Sequence, residues 1–559
     1  MVSFVSGILQ IREKAYIKLP YNTAGNYSMF RDGATKASYH SQTRMLYVIG
    51  TGTNLMHIID LTHKDNPTIL LTHHFNTVGD GPITDVETCS DTVAVAIGSN
   101  TVAAHGHVEL FLPFTRFDSQ LTKIGRVPAG HTPKDMAFTS DCSRLIVANE
   151  GKPGLLHNTF EDPRGSISVI IKNDQGFPPE VNTNFDSFND RVNEYLRNGV
   201  RYIFRGDQSA NVETTFSKDL EPESVAIDQD DRYAYISLQE NNAVVKFDIT
   251  QNRIIEIYAL GVKNWTNFDI DASDRDGGPN LKRHHIYSFY QPRDIKIGVV
   301  NGQSYLFTAN TGAIKKFTQQ NEGFDFTDAA RARTLHNNGA IDEVLVGADN
   351  KAKINNDADL VVMRIYVVRY SPGRLHVSGM DGLNSQGLIQ YLHAYGSRSV
   401  SMWNTATFQR VYDTGDDMEK EAINKYSSTF NGDCENINLS PAGEVDLRSD
   451  DYGVEPTAVA FGTHSGAPLI ITASRSGMIY VFNVIGTALS FQSVHRRGGT
   501  NQAWNLLYQN NSTGDCLISD IGYVDESALP DRTGLVYVIG SGSSSVSLYE
   551  IYDDGITKK

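Results

Sequence analysis

The chain of 559 residues is poor in cysteine, with only Cys89, Cys142, Cys434 and Cys516. None belongs to a C-x-x-C pair, which argues against a zinc site. Long apolar runs are absent as well. The best stretch, Leu360 to Val368, is broken by Arg364 and falls far short of the ~18 residues a spanning helix needs. The N-terminal MVSFVSGILQIREK lacks a basic leader and a cleavage site, so no signal peptide is read there. Basic residues are in deficit, 49 Lys and Arg against 65 Asp and Glu, a formal net charge of −16. Such a surface repels phosphate backbones and anionic lipid, which speaks against nucleic acid and membrane surfaces as partners but is compatible with cations. Gly and Pro, 47 and 18 residues, are near ordinary usage, so collagen-like and low-complexity classes are out. No H-E-x-x-H, Walker or Rossmann string occurs, and Gly462-Thr463-His464-Ser465-Gly466 has the wrong spacing for a nucleophile elbow.

What is present is a repeat. A short β-branched strand ending in a small or polar turn recurs as MLYVIG (45–50), VAVAIG (93–98), RLIVAN (144–149), YAYISL (233–238), YLFTAN (305–310), LIITAS (469–474) and LVYVIG (535–540). Each is followed by a partner strand, such as LMHIID (55–60), AVVKFD (243–248), VSMWN (400–404) or VSLYEI (546–551). Apolar, β-branched and aromatic runs bounded by Gly, Asn, Asp or Ser carry the strand signature. Seven such pairs predict an all-β, seven-bladed β-propeller with long inter-strand insertions. Two β-sandwich domains are the runner-up, against which the even recurrence argues. The reading divides the chain into an N-terminal segment over 1–29, one propeller domain over 30–553 and a tail over 554–559. Insertions fall near 172–215 and, inside the fifth blade, near 313–398. Helices are expected over FNDRVNEYLRNG (188–199) and DDMEKEAINKY (416–426).

Several segments go beyond generic strand patterning. They include HTPKDMAFTSDCSRLIVANEGKP (131–153), KDLEPESVAIDQDDRYAYISLQENNAVVKFDI (218–249), IDASDRD (270–276) and FYQPRDIKIGVVNGQSYLFTAN (289–310). GSRSVSMWN with VYDTGDDME (396–419) and LRSDDYGVEPTAVAFG (447–462) complete the set. In this order, from about residue 30 to 553, they resemble the choice-of-anchor I family, which includes mesenchyme-specific cell-surface glycoproteins. The resemblance implies a secreted propeller associated with a surface or matrix, with a link to calcium. The chain departs from the family's Asn-Glu turn, which stands as Asn149-Glu150 but becomes Asn310-Thr311, Ser474-Arg475 and Gly542-Ser543.

Candidate chemistry rests on carboxylates. Glu221 and Glu223 flank Pro222 just ahead of a strand, and Asp135, Asp294 and Glu455 hold comparable positions in other repeats. Converging carboxylates need a cation or a proton between them, and hard oxygen ligands suit Ca²⁺. Pairing of each with a nearby cation or amide is the plainer alternative. Asp269, Asp271, Asp274 and Asp276 form the densest acidic loop. It fails as an EF-hand, leaving an irregular Ca²⁺ loop or a solvated turn. Asp416 and Asp417 are expected to cap the helix behind them, and Asp450 and Asp451 to form ion pairs.

Candidate glycosylation sequons stand at Asn26, Asn264, Asn438, Asn510 and Asn511. If the protein is secreted, Cys89–Cys142 and Cys434–Cys516 are the expected disulfides; otherwise the four remain thiols. Three functions compete. The first is a non-enzymatic, calcium-associated matrix, biomineralisation-type or adhesion protein, partnered by matrix or cell-surface proteins. The second is a metal-dependent phosphoesterase, alkaline-phosphatase-like or phytase-like, acting at the channel. The third is a metal-free interaction scaffold.

Overall fold

The computed structural model describes residues 7–555 apart from 76–78, 157–158, 174–175, 177–180, 207–212, 319–324, 343–371 and 530. Among these the repeat folds into seven four-stranded antiparallel sheets. Their first strands are Lys36–His40, Asp80–Cys89, Pro133–Phe138, Pro222–Ile227, Asp294–Val300, Pro456–His464 and Ile518–Val524. These touch one another in sequence order, and the last touches the first. The architecture is therefore propeller-type. The apolar runs that open each repeat form the second strands, buried on both faces, which is why they read as nearly continuous hydrophobic segments.

The core lies between sheets. Val147 and Ile170 of the third sheet pack with Ala94 and Val108 of the second, and Ile146 and Val169 turn the other way onto Val225 and Ile236 of the fourth. The same interleaving continues round to Leu535 and Val546 of the seventh against Leu46 and Val48 of the first. Close approach is made possible by glycine. A Cβ on Gly298 would lie 2.4 Å from the Phe461 ring, and one on Gly462 would lie 2.0 Å from Tyr523.

Residues 1–29, read as a segment ahead of the domain, supply a strand of it. Leu9–Lys18 pairs with Ser545–Asp553, with Ile11 opposite Ile551. The seventh sheet is thus completed by a strand from early in the chain, which pairs the edge of Ser545–Asp553 and becomes the outer strand itself. The 172–215 insertion contains the fourth strand of the third sheet, Val181–Asn184. It also contains the helix Val192–Asn198, ended by Gly199 at φ 97°. The 313–398 insertion lies between the second and third strands of the fifth sheet, and its residues 319–324 and 343–371 are outside the described set. Its strands Ala329–Arg331, His376–Ser378 and His393–Ala394 join Val262–Asn264 and Tyr287–Phe289 in an added five-stranded sheet. The second helix spans Asp417–Tyr426, with Asp416 at its N-cap but making no side-chain cap bond. The Asp416 carboxylate instead accepts the backbone N–H of Asp269 at 2.7 Å and pairs with Lys420 at 2.7 Å.

Cys89 is bonded to Cys142 and Cys434 to Cys516. The first bond joins the end of the second sheet's inner strand to the first turn of the third sheet. No described helix is long and apolar enough to cross a membrane.

Candidate functional site

One position recurs at the centre of the ring. It precedes the residue whose backbone N–H faces the neighbouring sheet, and it is occupied by Lys36, Asp85, Asp135, Ser224, Asp294, Ala458 and Asp520 in sheet order. In five of the seven strands a register slip falls at or directly before it. Such a bulge re-aims a side chain. The four aspartates use it identically. Asp85 accepts from Met136 N at 2.8 Å, Asp135 from Val225 N at 2.8 Å, Asp294 from Val459 N at 2.8 Å and Asp520 from Ala37 N at 2.9 Å. Each carboxylate thus clasps the backbone of the next sheet.

The remaining charge is met by two lysines. Lys36 Nζ lies 2.9 Å from Asp135 Oδ1, and Lys296 Nζ lies 3.3 Å from Asp294 Oδ1. Burial works against the Lys36 ammonium, but Asp135, Asp520, Asp85 and Asp294 outweigh it and hold the pKa well above the lysine value. Burial pushes Asp135 up, and Lys36 and Lys296 bring it below the ordinary carboxylate range. Asp85, raised by burial and by Asp135, goes the other way, as does Asp520 through burial. Glu87, which accepts from Ser38 Oγ, is pushed to about 7 by burial.

A second charged group surrounds Lys134 and Lys315. Lys134 reaches Glu150 at 3.0 Å and Glu223 at 3.7 Å. Lys315 reaches Asp219 and Glu221, each at 2.8 Å. Burial raises Glu221 and Glu223 above the glutamate value and takes Glu240 to about 7.

The structure brings Asp135 and Asp294 together at the centre, and Glu221 and Glu223 around the second pair of lysines. Glu455 stands apart at φ 48°, held by Arg448 at 3.0 Å. In the acidic loop, Asp269 faces Arg283 and Lys420 at 3.5 and 3.3 Å. Asp274 pairs with Arg374 at 2.9 Å, and Asp276 accepts from Asn280 Nδ2 at 2.6 Å. Asp271 is fully buried and accepts the backbone N–H groups of Ser273 and Asn280. Among the described residues no three His, Cys, Asp or Glu side chains are grouped to hold a metal ion. Most of the candidate carboxylates accept a backbone N–H or face a lysine or arginine, while Asp276 Oδ1 has no hydrogen-bond partner among the described residues.

Sequence reasoning missed Asp85, Asp520, Lys36 and Lys296. A signal existed: Asp85-Val86, Asp135-Met136, Asp294-Ile295 and Asp520-Ile521 share an Asp directly ahead of an apolar residue within the first strand of a repeat. Of the sequon asparagines, Asn26, Asn438, Asn510 and Asn511 are exposed. Asn264 is half-buried and accepts from Thr266 N and Oγ1.

Cyclic sheets clasped at their centre by aspartate define a propeller-type protein. The chain belongs to the choice-of-anchor I domain family, whose sequence profile matches residues 35–487. It is 28% identical over 332 residues to the mesenchyme-specific cell surface glycoprotein of Strongylocentrotus purpuratus, covering 56% of this chain and 42% of that protein. It is 29% identical over 185 residues to Gigasin-3a of Magallana gigas, covering 32% of this chain and 64% of that protein. The chain thus matches less than two thirds of the length of either relative. Among solved structures, Kuenenia stuttgartiensis hydrazine synthase overlays with a TM-score of 0.43 at 9% identity, over 96% of this chain and 100% of that one. The Neurospora crassa Pan2 WD40 domain overlays with a TM-score of 0.41 at 7% identity, over 97% and 95%.

Proposed function

We propose that this chain is a seven-bladed propeller of the extracellular space that acts as a non-enzymatic binding module at a cell surface or in a matrix. The observation that carries the reading is the commitment of the central carboxylates. Asp85, Asp135, Asp294 and Asp520 are spent on the backbone of neighbouring sheets and on Lys36 and Lys296. A phosphoesterase needs a metal with an open coordination position, and these residues leave little room for one. Two disulfides suit an oxidising compartment. The name of the sea-urchin relative adds support for a cell-surface setting.

The test is binding of the purified, disulfide-intact protein to intact cells and to decellularised matrix, run beside hydrolysis of p-nitrophenyl phosphate with Ca²⁺, Mg²⁺ or Zn²⁺. The reading expects saturable binding and no turnover above the metal alone. Metal-dependent turnover abolished by Asp135→Asn would establish the phosphoesterase instead.

A further inference from the structure

Away from the centre, a shallow hollow of about 450 Å³ carries chemistry opposite in sign to the molecule's net charge of −16. Its walls come from the closing strand Leu9–Lys18, through Glu13, Tyr16 and Lys18, and from Tyr27, Arg497 and Asn511. Lys18 Nζ donates to the Tyr508 carbonyl at 3.1 Å, 4.6 Å from the centre of the Tyr508 ring and 5.9 Å from that of Tyr27. No carboxylate among the described residues forms an ion pair with it, and burial lowers its pKa. Arg497 lies 3.8 Å over the Tyr16 ring, with Nε 3.0 Å from Glu13 and Nη2 donating to the Asn511 carbonyl. Arg497 Nη1 and the Tyr508 hydroxyl are shielded from water and have no hydrogen-bond partner among the described residues.

Lys18 and Arg497 thus share Glu13 at the hollow, while the buried Asp515 behind Arg497 already accepts from Ser547 and Tyr549. Lys18 is partly buried and has no carboxylate of its own, so a bound anion supplies the counter-charge it lacks. The Tyr27 ring is 51% exposed and offers a flat apolar face beside the Lys18 ammonium. Donors for an anion next to an aromatic face match one ligand chemistry, a ring carrying a carboxylate or sulfate on one edge and C–H groups on its face. We propose that this hollow binds an acidic saccharide. The proposal deepens the binding-module reading and takes its extracellular setting from it.

The test uses protein made without N-glycans in an oxidising bacterial host, because a glycan on Asn511 would enter the same hollow. Calorimetric titration compares hyaluronan tetrasaccharide, carrying carboxylate only, keratan sulfate tetrasaccharide, carrying sulfate without uronate, and neutral N-acetylchitotetraose. Binding of at least one acidic sugar but not the neutral one is expected, weakened by added salt. Lys18→Gln should weaken it at least about tenfold. Tyr27→Ala, at an exposed site that should leave folding intact, should weaken it severalfold, and Phe117→Ser, at a distant exposed position, should not change it. No binding of either acidic sugar overturns the proposal, as does equal binding by the Lys18→Gln and Tyr27→Ala proteins. Cell or matrix binding that persists in these variants would remove the saccharide site while leaving the module reading intact.

Discussion

The carboxylate of Asp135, on the third sheet, accepts the backbone N–H of Val225 on the fourth at 2.8 Å while holding Lys36 of the first sheet at 2.9 Å. One side chain thereby ties three sheets together. Removing it leaves a buried N–H without its acceptor and a lysine without its nearest counter-charge. Asp135→Ala should cost about 2–3 kcal/mol, the usual range for a buried hydrogen bond to a charged group. Thermal unfolding should show a clear drop in Tm with the secondary structure preserved below it.

Glu87 gives the molecule a pH signature of the opposite sense. Burial pushes its carboxyl from the ordinary 4.5 to about 7. Between those values the folded state binds more protons than the unfolded state, so Glu87 lowers stability as pH rises through the window. Asp135, held below its ordinary value of 3.8, is favourable above that pH and loses its contribution as pH falls through its folded pKa. Glu87→Gln should raise Tm near about pH 8 and leave it little changed near about pH 4. A Tm–pH series on the two proteins checks both ends.

Arg398 and Glu419 form a buried ion pair at 2.7 Å, with Arg398 only 2% exposed and Glu419 fully buried. Arg398 also donates to the carbonyls of Asp271 and Ser449, locking the acidic loop against the segment before the sixth sheet. Breaking one partner strands a buried charge, so Glu419→Ala should cost about 3–5 kcal/mol. Chemical denaturation at equilibrium measures it.

The closing strand and the disulfides act on the ring as a whole. Deleting residues 1–18 exposes the Ser545–Asp553 edge and uncovers Ile551, and should yield aggregation-prone protein with a lowered Tm. Reduction opens crosslinks spanning 53 and 82 residues, each contributing about 4 kcal/mol in the chain-entropy account. Scanning calorimetry with and without reductant should separate the two states widely.

Much of this architecture was legible in the residues. The seven apolar runs became second strands because burial on both faces demands unbroken hydrophobicity, and that is the strongest pattern a strand writes. The two helices were legible as the spans 188–199 and 416–426, of which Val192–Asn198 and Asp417–Tyr426 are α-helical and Asp186–Arg191 is a 3-10 turn, although Asp416 caps through position alone because Asp269 N takes its carboxylate. The first strands were harder to see. Asp85 and Asp520 sit at bulges, where alternation breaks, and their partners lie in neighbouring sheets that no local window contains. The strand Leu9–Lys18 escaped for the same reason: Ile11 and Ile551 are 540 positions apart. The hollow beside Lys18 depends on Tyr27, Arg497 and Asn511 meeting across the closure, which spacing alone does not reveal.

The most direct test of the central claim is thermal unfolding of wild type and the Asp135→Ala, Asp294→Ala double variant, each in calcium and in chelator. If the aspartates clasp neighbouring sheets, wild type unfolds at the same temperature in both media and the variant unfolds lower by the same interval in both. If wild type is raised by calcium and the variant loses that rise, the ring is a metal site and the account is wrong.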